Sequence, residues 1–259
     1  METRSIGFIG GGRITRIFLT AFKNASISFQ HISVLDTNAV VLNDLKAQFN
    51  QINVTSTDFT MLANADVVFL AVHPPVVLET VMKIKEVIQH DTILVSLAPK
   101  LTIQKMSEAL GGFPNIARIN PSASSFINEG INPVCYSPAM TGEKKQELIA
   151  IMESLGSFPE VQESKIEAYA MISAMGYTYF WFQVQKLKEL AVEFGMHEEE
   201  AKDVISEMLW GTAEILFYSG LTYAEVTDLV PVKPLGEVEE TIKGYYDQYL
   251  PGLFSKIKP

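Results

Sequence analysis

The sequence predicts an α/β fold: a doubly wound, mostly parallel sheet over residues 1–162, then an all-helical region over residues 163–259. Three observations carry this. The first forty residues read as strand, glycine turn, helix, strand and terminal acid. Apolar runs then alternate with amphipathic stretches through the N-terminal half. From Glu163 onward no good strand follows.

The opening segment is the most specific. Ser5-Ile-Gly-Phe-Ile9 is a short apolar strand, followed at once by Gly10-Gly11-Gly12. Arg13 to Asn24 carries Ile14, Ile17, Phe18, Ala21 and Phe22 at helical spacing. A second strand, His31-Ile-Ser-Val-Leu35, ends on Asp36. These are the parts of a dinucleotide-binding unit. Gly10 allows the tight turn and Gly12 lets the backbone approach a pyrophosphate. The helix N-terminus offers amides and a positive dipole end to that anion. Asp36 accepts hydrogen bonds from ribose hydroxyls. Arg13 and Ile14, which open the helix, complete the candidate contacts on the turn. The position usually held by a third glycine is Thr15, whose β-branch is expected to push the helix slightly off the strand. A carboxylate repels a 2′-phosphate, and Thr37 and Asn38 after it are not cationic, so the residues favour NAD over NADP. Arg13 is the candidate for an adenosine phosphate.

The later elements follow the same alternation. Asp66–Val72 and Thr92–Leu97 are nearly continuous apolar runs, as strands covered on both faces require. Between them Val76–Ile88 reads as a helix, with Pro74 and Pro75 at its start. Asn115–Ile119 and Asn132–Tyr136 are shorter strands, Thr141–Leu155 is an amphipathic helix stopped by Gly156, and Ser157–Gln162 is a last edge strand. Beyond Glu163, Lys165–Phe194 reads as one long helix with a possible kink at Gly176. Glu198–Tyr218 is a second long helix, with shorter ones at Thr222–Asp228 and Val238–Tyr249. The first of these is apolar around its middle (Ala174, Met175, Tyr177, Tyr179 to Phe182, Val184), and a helix apolar all round is buried all round. The sheet already has its own helices to cover it, so a homodimer through the C-terminal helices is expected.

Composition sets the classes aside. With 47% hydrophobic and 19% charged residues, a large core is expected and disorder is not. A net charge of −10 argues against a nucleic-acid partner. Cys135 is the single cysteine, which excludes an internal disulfide and suits a reducing, cytoplasmic location. The first strand starts almost at Met1, so no signal peptide is expected, and no apolar run is long enough for a membrane span. His31, His73, His90 and His197 are scattered, so no metal site is expected.

Several segments together resemble the pyrroline-5-carboxylate reductases. They are Gly7-Phe-Ile-Gly-Gly-Gly-Arg13, Leu70-Ala-Val-His-Pro74, Leu94-Val-Ser-Leu-Ala98, Arg118-Ile-Asn-Pro121 and Ile172-Ser-Ala-Met-Gly-Tyr-Thr-Tyr179, in the family's order and spacing. The resemblance implies a Rossmann-type domain over 1–162 and a helical dimerisation and substrate domain over 163–259. It implies NAD or NADP as cofactor, and hydride transfer to the C=N bond of a small cyclic imine acid. Ala71, Val72, His73 and Pro74 would line the cofactor near its ribose and nicotinamide. Ala98 would sit beside the nicotinamide, and Asn120, Pro121 and Ser122 would close over it. The chain also departs from the family. His73 stands where the family has Lys, and Val232-Lys-Pro-Leu-Gly-Glu237 stands for the Ser-Pro-Gly-Gly-Thr-Thr segment that binds the substrate carboxylate. Two alternatives therefore stay open: a paralogue that binds nucleotide without reducing anything, or a reductase of another small imine or carbonyl acid.

Ser173 and Tyr177 are the catalytic candidates. Four apart on one helix, they share a face and could present both hydroxyls to a substrate. The alternative is that both belong to the dimer core, where a buried Tyr satisfies its hydroxyl on a backbone carbonyl, and for Tyr177 that reading comes first. Lys233 is read as a solvated loop residue. Arg118 is read as paired with a carboxylate on the surface, the commoner fate of an isolated Arg.

Overall fold

The computed structural model describes residues 4–72 and 74–259, so the candidate contact His73 lies outside the described residues. The chain divides into two compact units, 1–174 with 254–259, and 175–253.

In the first unit, β1 (Ser5–Ile9), α1 (Arg13–Asn24) and β2 (His31–Leu35) stand where the sequence puts them. α2 (Ala39–Gln48) and β3 (Asn53–Thr55) follow, the helix capped by Asn38, whose side-chain oxygen accepts from the amides of Val40 and Val41. Then come β4 (Val67–Leu70), α3 (Pro74–Ile84), β5 (Ile93–Ser96), α4 (Ile103–Ala109) and β6 (Ile116–Ile119). The run ends with β7 (Gly130–Ile131), β8 (Val134–Tyr136), α5 (Gly142–Met152) and β9 (Gly156–Ser157). Among the described residues, seven strands form one sheet in the order β3-β2-β1-β4-β5-β6-β8. All pair in parallel except β8, which runs antiparallel on β6. Up to β6 this is the strand order of a doubly wound dinucleotide fold, with its reversal between β1 and β4.

Two apolar cores cover the two faces. One gathers Phe8, Phe18, Phe22, Phe69, Leu148 and Met152 from the sheet, α1 and α5, with the Phe8 and Phe69 rings stacked at 4.9 Å. The other gathers Leu70, Val77, Val81, Leu94, Ile103 and Met106 from the sheet, α3 and α4. β1, β2, β4, β5, β6 and β8 feed both cores, because alternate residues point to opposite faces.

Two expected elements form differently. The final edge strand over Ser157–Gln162 does not form. β9 instead pairs with β7 in a separate two-stranded sheet, and beyond it a single bridge joins Val134 to Glu160. Pro159 has no amide to donate, which leaves the ladder at one bridge. The long helix over Lys165–Phe194 is not continuous either. It consists of α6 (Ile166–Tyr169), a π-turn at Ala170–Ala174, a break at Met175 and Gly176, and α7 (Tyr177–Glu193). The hydroxyls of Ser173 and Thr178 donate to the carbonyls of Tyr169 (2.9 Å) and Met175 (2.7 Å), so side chains compete with the backbone ladder on both sides of the break.

In the second unit, α8 (Glu198–Tyr218) keeps its expected bounds, and α9 (Tyr223–Asp228) is closed at its start by a reciprocal cap between Thr222 and Glu225. α10 (Glu239–Ile257) runs longer than expected, with Pro251 inside it. A proline inside a helix removes one amide donor but does not forbid the turns that flank it. These helices bury little within their own chain. Among the described residues α7, α9 and α10 have no buried side chain, and α8 has Ala201 and Ile205. Trp210 and Phe217, seven apart on α8, are 69% and 75% exposed. No helix among the described residues is long and apolar enough to cross a membrane.

Candidate functional site

The ends of β1, β2, β4, β5 and β6 lie along one edge of the sheet, since Ile9 pairs with Leu70, Leu70 with Ser96, and Ser96 with Arg118. Ligands of open α/β sheets bind at this carboxyl edge, where the strand order reverses. The three glycines after β1 divide the work there. Gly10 has φ +102°, and its amide donates to the Leu35 carbonyl at 2.7 Å. A Cβ at Gly10 would overlap the Ala71 carbonyl, so the turn itself requires glycine. Gly11 donates its amide to Asp36 Oδ2 at 2.7 Å, and a Cβ there would crowd Leu45 and Val41 at 3.0 and 3.1 Å.

Gly12 is different. It is the N-cap of α1 at φ −74°, a conformation open to any residue. It is exposed, and no described heavy atom lies within 4 Å of where its Cβ would stand. Glycine is a favoured N-cap, no strain or close contact within the chain requires it here, and its missing side chain leaves room for a ligand to approach the backbone. Gly12 brings no capping side chain, and the first turn of α1 holds no acid, so the leading amides keep their affinity for an anion. The residues present fit a dinucleotide diphosphate.

Around this cradle the expected contacts fall as follows. Arg13 is exposed, while the Ile14 side chain packs on the core, so only its backbone faces outward. Thr15 is fully buried, and its hydroxyl donates to the Gly10 carbonyl at 2.5 Å, tying helix to turn. Asp36 is held from two sides, by the Gly11 amide on Oδ2 and the Asn38 amide at 2.8 Å on Oδ1. Ala71 and Val72 are half-buried after β4, and Pro74 opens α3. Ala98 is buried after β5. Asn120 follows β6, and its Nδ2 is buried with no acceptor among the described residues. Ser122 is wholly buried, with its amide on Asn132 Oδ1 at 2.9 Å and its hydroxyl 3.1 Å from that of Ser124, so its side chain is turned into its own loop.

The catalytic candidates do not share a continuous helix. Ser173 closes toward Tyr169 in the π-turn, whereas Tyr177 is the first residue of α7 with its ring 6.0 Å from Trp181. The four-residue spacing therefore gives them no common helical face, because the ladder breaks at Met175 and Gly176 between them.

Arg118 is not a surface residue. It is 2% exposed, donating from one terminal nitrogen to Glu163 Oε1 at 2.9 Å and from the other to Glu167 Oε1 at 2.7 Å. Burial works against its charge, but the bonds to Glu167 and Glu163 outweigh that and leave its pKa raised. The signal was present in the sequence: an Arg inside Ile116-Ala-Arg-Ile119, a strand covered on both faces, needs a buried carboxylate. Cys135 lies against it, its thiol 3.8 Å from the Arg118 carbonyl, and burial pushes that thiol's pKa up to about 12. Among the described residues no group of His, Cys, Asp and Glu side chains could hold a metal ion.

Residues 5–100 match the family model described as NADP oxidoreductase coenzyme F420-dependent. Residues 163–254 match the model for pyrroline-5-carboxylate reductase dimerisation. The pyrroline-5-carboxylate reductase of Methanosarcina acetivorans is 23% identical over 95% of this chain and 90% of its own. That of Escherichia coli K12 is 23% identical over 93% and 89%. Among solved structures, the Plasmodium falciparum pyrroline carboxylate reductase with NADP bound has a TM-score of 0.75 at 20% identity, covering 99% of this chain and 95% of its own. The reductase from Coxiella burnetii has 0.70 at 24%, with the same coverage. With its Rossmann-like sheet, its helical C-terminal region and relatives along its full length, the chain belongs to the pyrroline-5-carboxylate reductase family.

Proposed function

We propose that the chain is a reductase that uses NADH in preference to NADPH and delivers hydride to the C=N bond of a small cyclic imine acid. The observation that carries this reading is the open cradle at Gly12 beside a fixed Asp36. A bound nicotinamide supplies the hydride, and a protonated imine is already electrophilic. The protein's part is placement. The amides of Gly12, Arg13 and Ile14 hold the diphosphate, and Asp36 takes the ribose hydroxyls. Ala71, Val72, Ala98 and Asn120 line the nicotinamide end, with Ser173 as the hydroxyl for the substrate. In this reading residues 1–162 bind nucleotide, while 163–259 dimerise and complete the substrate site in a cytoplasmic enzyme.

The test is a fluorescence titration with NADH and NADPH, followed by loss of reduced-nicotinamide absorbance with pyrroline-5-carboxylate. Saturable binding with turnover supports the reading. Binding without turnover favours the second reading, a family member that has lost this activity or acts on another imine or carbonyl acid. A specific observation points that way. The segment Val232–Glu237 has no hydroxyl and closes on itself, with the Gly236 amide on the Lys233 carbonyl at 3.0 Å. The helix after it opens on Glu239 and Glu240, two carboxylates where a substrate carboxylate would want amides.

Two expected outcomes follow from the site and the helices. Asp36 is pinned by two amides and cannot swing away from a 2′-phosphate, so Asp36→Ser should improve the NADPH/NADH affinity ratio by about tenfold or more. An unchanged ratio in the same titration removes Asp36 as the discriminator. The exposed aromatic face of α8 is assigned to a second copy of the chain. Sedimentation equilibrium should show a dimer for the native chain and a monomer for Trp210→Glu with Phe217→Glu. A native monomer, or a variant that still dimerises, excludes this face.

A further inference from the structure

Most of the segment that joins the sheet to the helices has little to hold it. α6 is four residues long, too short to be stable by itself, and it runs directly into the π-turn. Over residues 166–174 the buried side chains are Ile166, Glu167 and Met171, while Ile172 is 72% exposed. So sparse a set of apolar anchors leaves a segment free to open locally.

The Arg118 fork meets this segment. Its two terminal nitrogens grip Glu163 and Glu167, and Glu163 Oε1 also accepts the amide of Ile103, the first residue of α4, at 2.8 Å. One guanidinium thus joins β6, α4, the turn at Glu163–Lys165 and α6. Two residues on, just past the end of its strand, stands Asn120 with its buried, unpartnered Nδ2. A buried ion pair adds little net stability over apolar side chains of the same size, but a two-pronged guanidinium fixes distance and direction together.

We propose that Arg118 is a positioning residue: its grip on Glu163 and Glu167 sets where the 166–174 segment, with Ser173, leaves the sheet. The kinetic consequence rests on the reductase reading, whereas the placement of the segment does not. The test compares the native chain, Arg118→Lys, and the triple change Arg118→Met, Glu163→Gln, Glu167→Met. The triple change removes the buried charges while keeping an acceptor for the Ile103 amide.

Hydrogen exchange followed by mass spectrometry reads the segment directly. In the triple variant, amides over 166–174 should exchange at least tenfold faster, while the sheet peptides, the melting temperature and NADH affinity stay as in the native chain. Lys keeps the charge but not the fork, so Arg118→Lys should show a smaller acceleration in the same peptides. If the native chain turns over, kcat should fall tenfold or more in the triple variant with KM for NADH unchanged. Native protection over 166–174 in the triple variant overturns the proposal. Should that variant not fold, native protection in Arg118→Lys overturns it equally. If the native chain binds NADH without turnover, the reductase reading fails and the exchange result still decides the role of Arg118.

Discussion

Gly12→Val should weaken the binding of reduced nicotinamide nucleotide at least about 100-fold, roughly 2.7 kcal/mol, while the protein stays folded. The two effects separate because of where the new side chain goes. At φ −74° valine meets no backbone penalty, and no described atom lies within 4 Å of its Cβ. Exchanging glycine for valine at an N-cap costs the helix about 1 kcal/mol at most. The isopropyl group then occupies the space a diphosphate must enter to reach the helix amides. Gly10→Ala makes the contrasting control. There φ is +102° and the added carbon collides with the Ala71 carbonyl, so stability is lost before any ligand is considered. Fluorescence titration together with thermal melts checks both variants. Native affinity in Gly12→Val would move the diphosphate elsewhere.

Arg118→Ala should destabilise the first unit by about 3–5 kcal/mol. The loss comes from what stays behind. Glu167, only 6% exposed at its side chain, would keep a carboxylate without its cation. Glu163, one-third exposed, can still reach water and adds less. For a chain of this length that corresponds to a fall in melting temperature of roughly 10 °C or more. Urea unfolding measures it, and a loss below about 1 kcal/mol would mean that water already solvates the cluster. The same side chain thus looks critical when removed alone and dispensable when all three charges are replaced together. That contrast is the signature of a paired buried ion.

The parts of the fold legible in the sequence are those where one local rule dominates. β1, α1, β2 and α8 have their expected bounds because a tight apolar period meets an unambiguous stop, such as the glycines at 10–12 and 220. α2 and β3 gave weaker signals. β3 is three residues long and held by pairing with β2, a contact the local sequence does not display. The break at Met175 and Gly176 was legible only as a kink at Gly176. The apolar pattern continues through it, while Gly176, a poor helix former, stands at the break itself. The two anchors of the turn, Gly10 at positive φ and Asp36 holding the Gly11 amide, were readable in the sequence. Ser122 was not, since its burial depends on Asn132, ten residues away across a loop. Arg118 was misplaced because its partners, Glu163 and Glu167, lie more than forty residues downstream.

The claim on which the rest depends is that the amides opening α1 bind a diphosphate beside Asp36. Differential melting of the native chain with NADH at about 100 times its Kd tests it most directly. Stabilisation of about 2.7 kcal/mol is expected at that ratio. For a chain of this length it should raise the melting temperature by roughly 5–10 °C, and the rise should vanish in Gly12→Val. A native melting temperature that saturating NADH and NADPH both leave unmoved would contradict it.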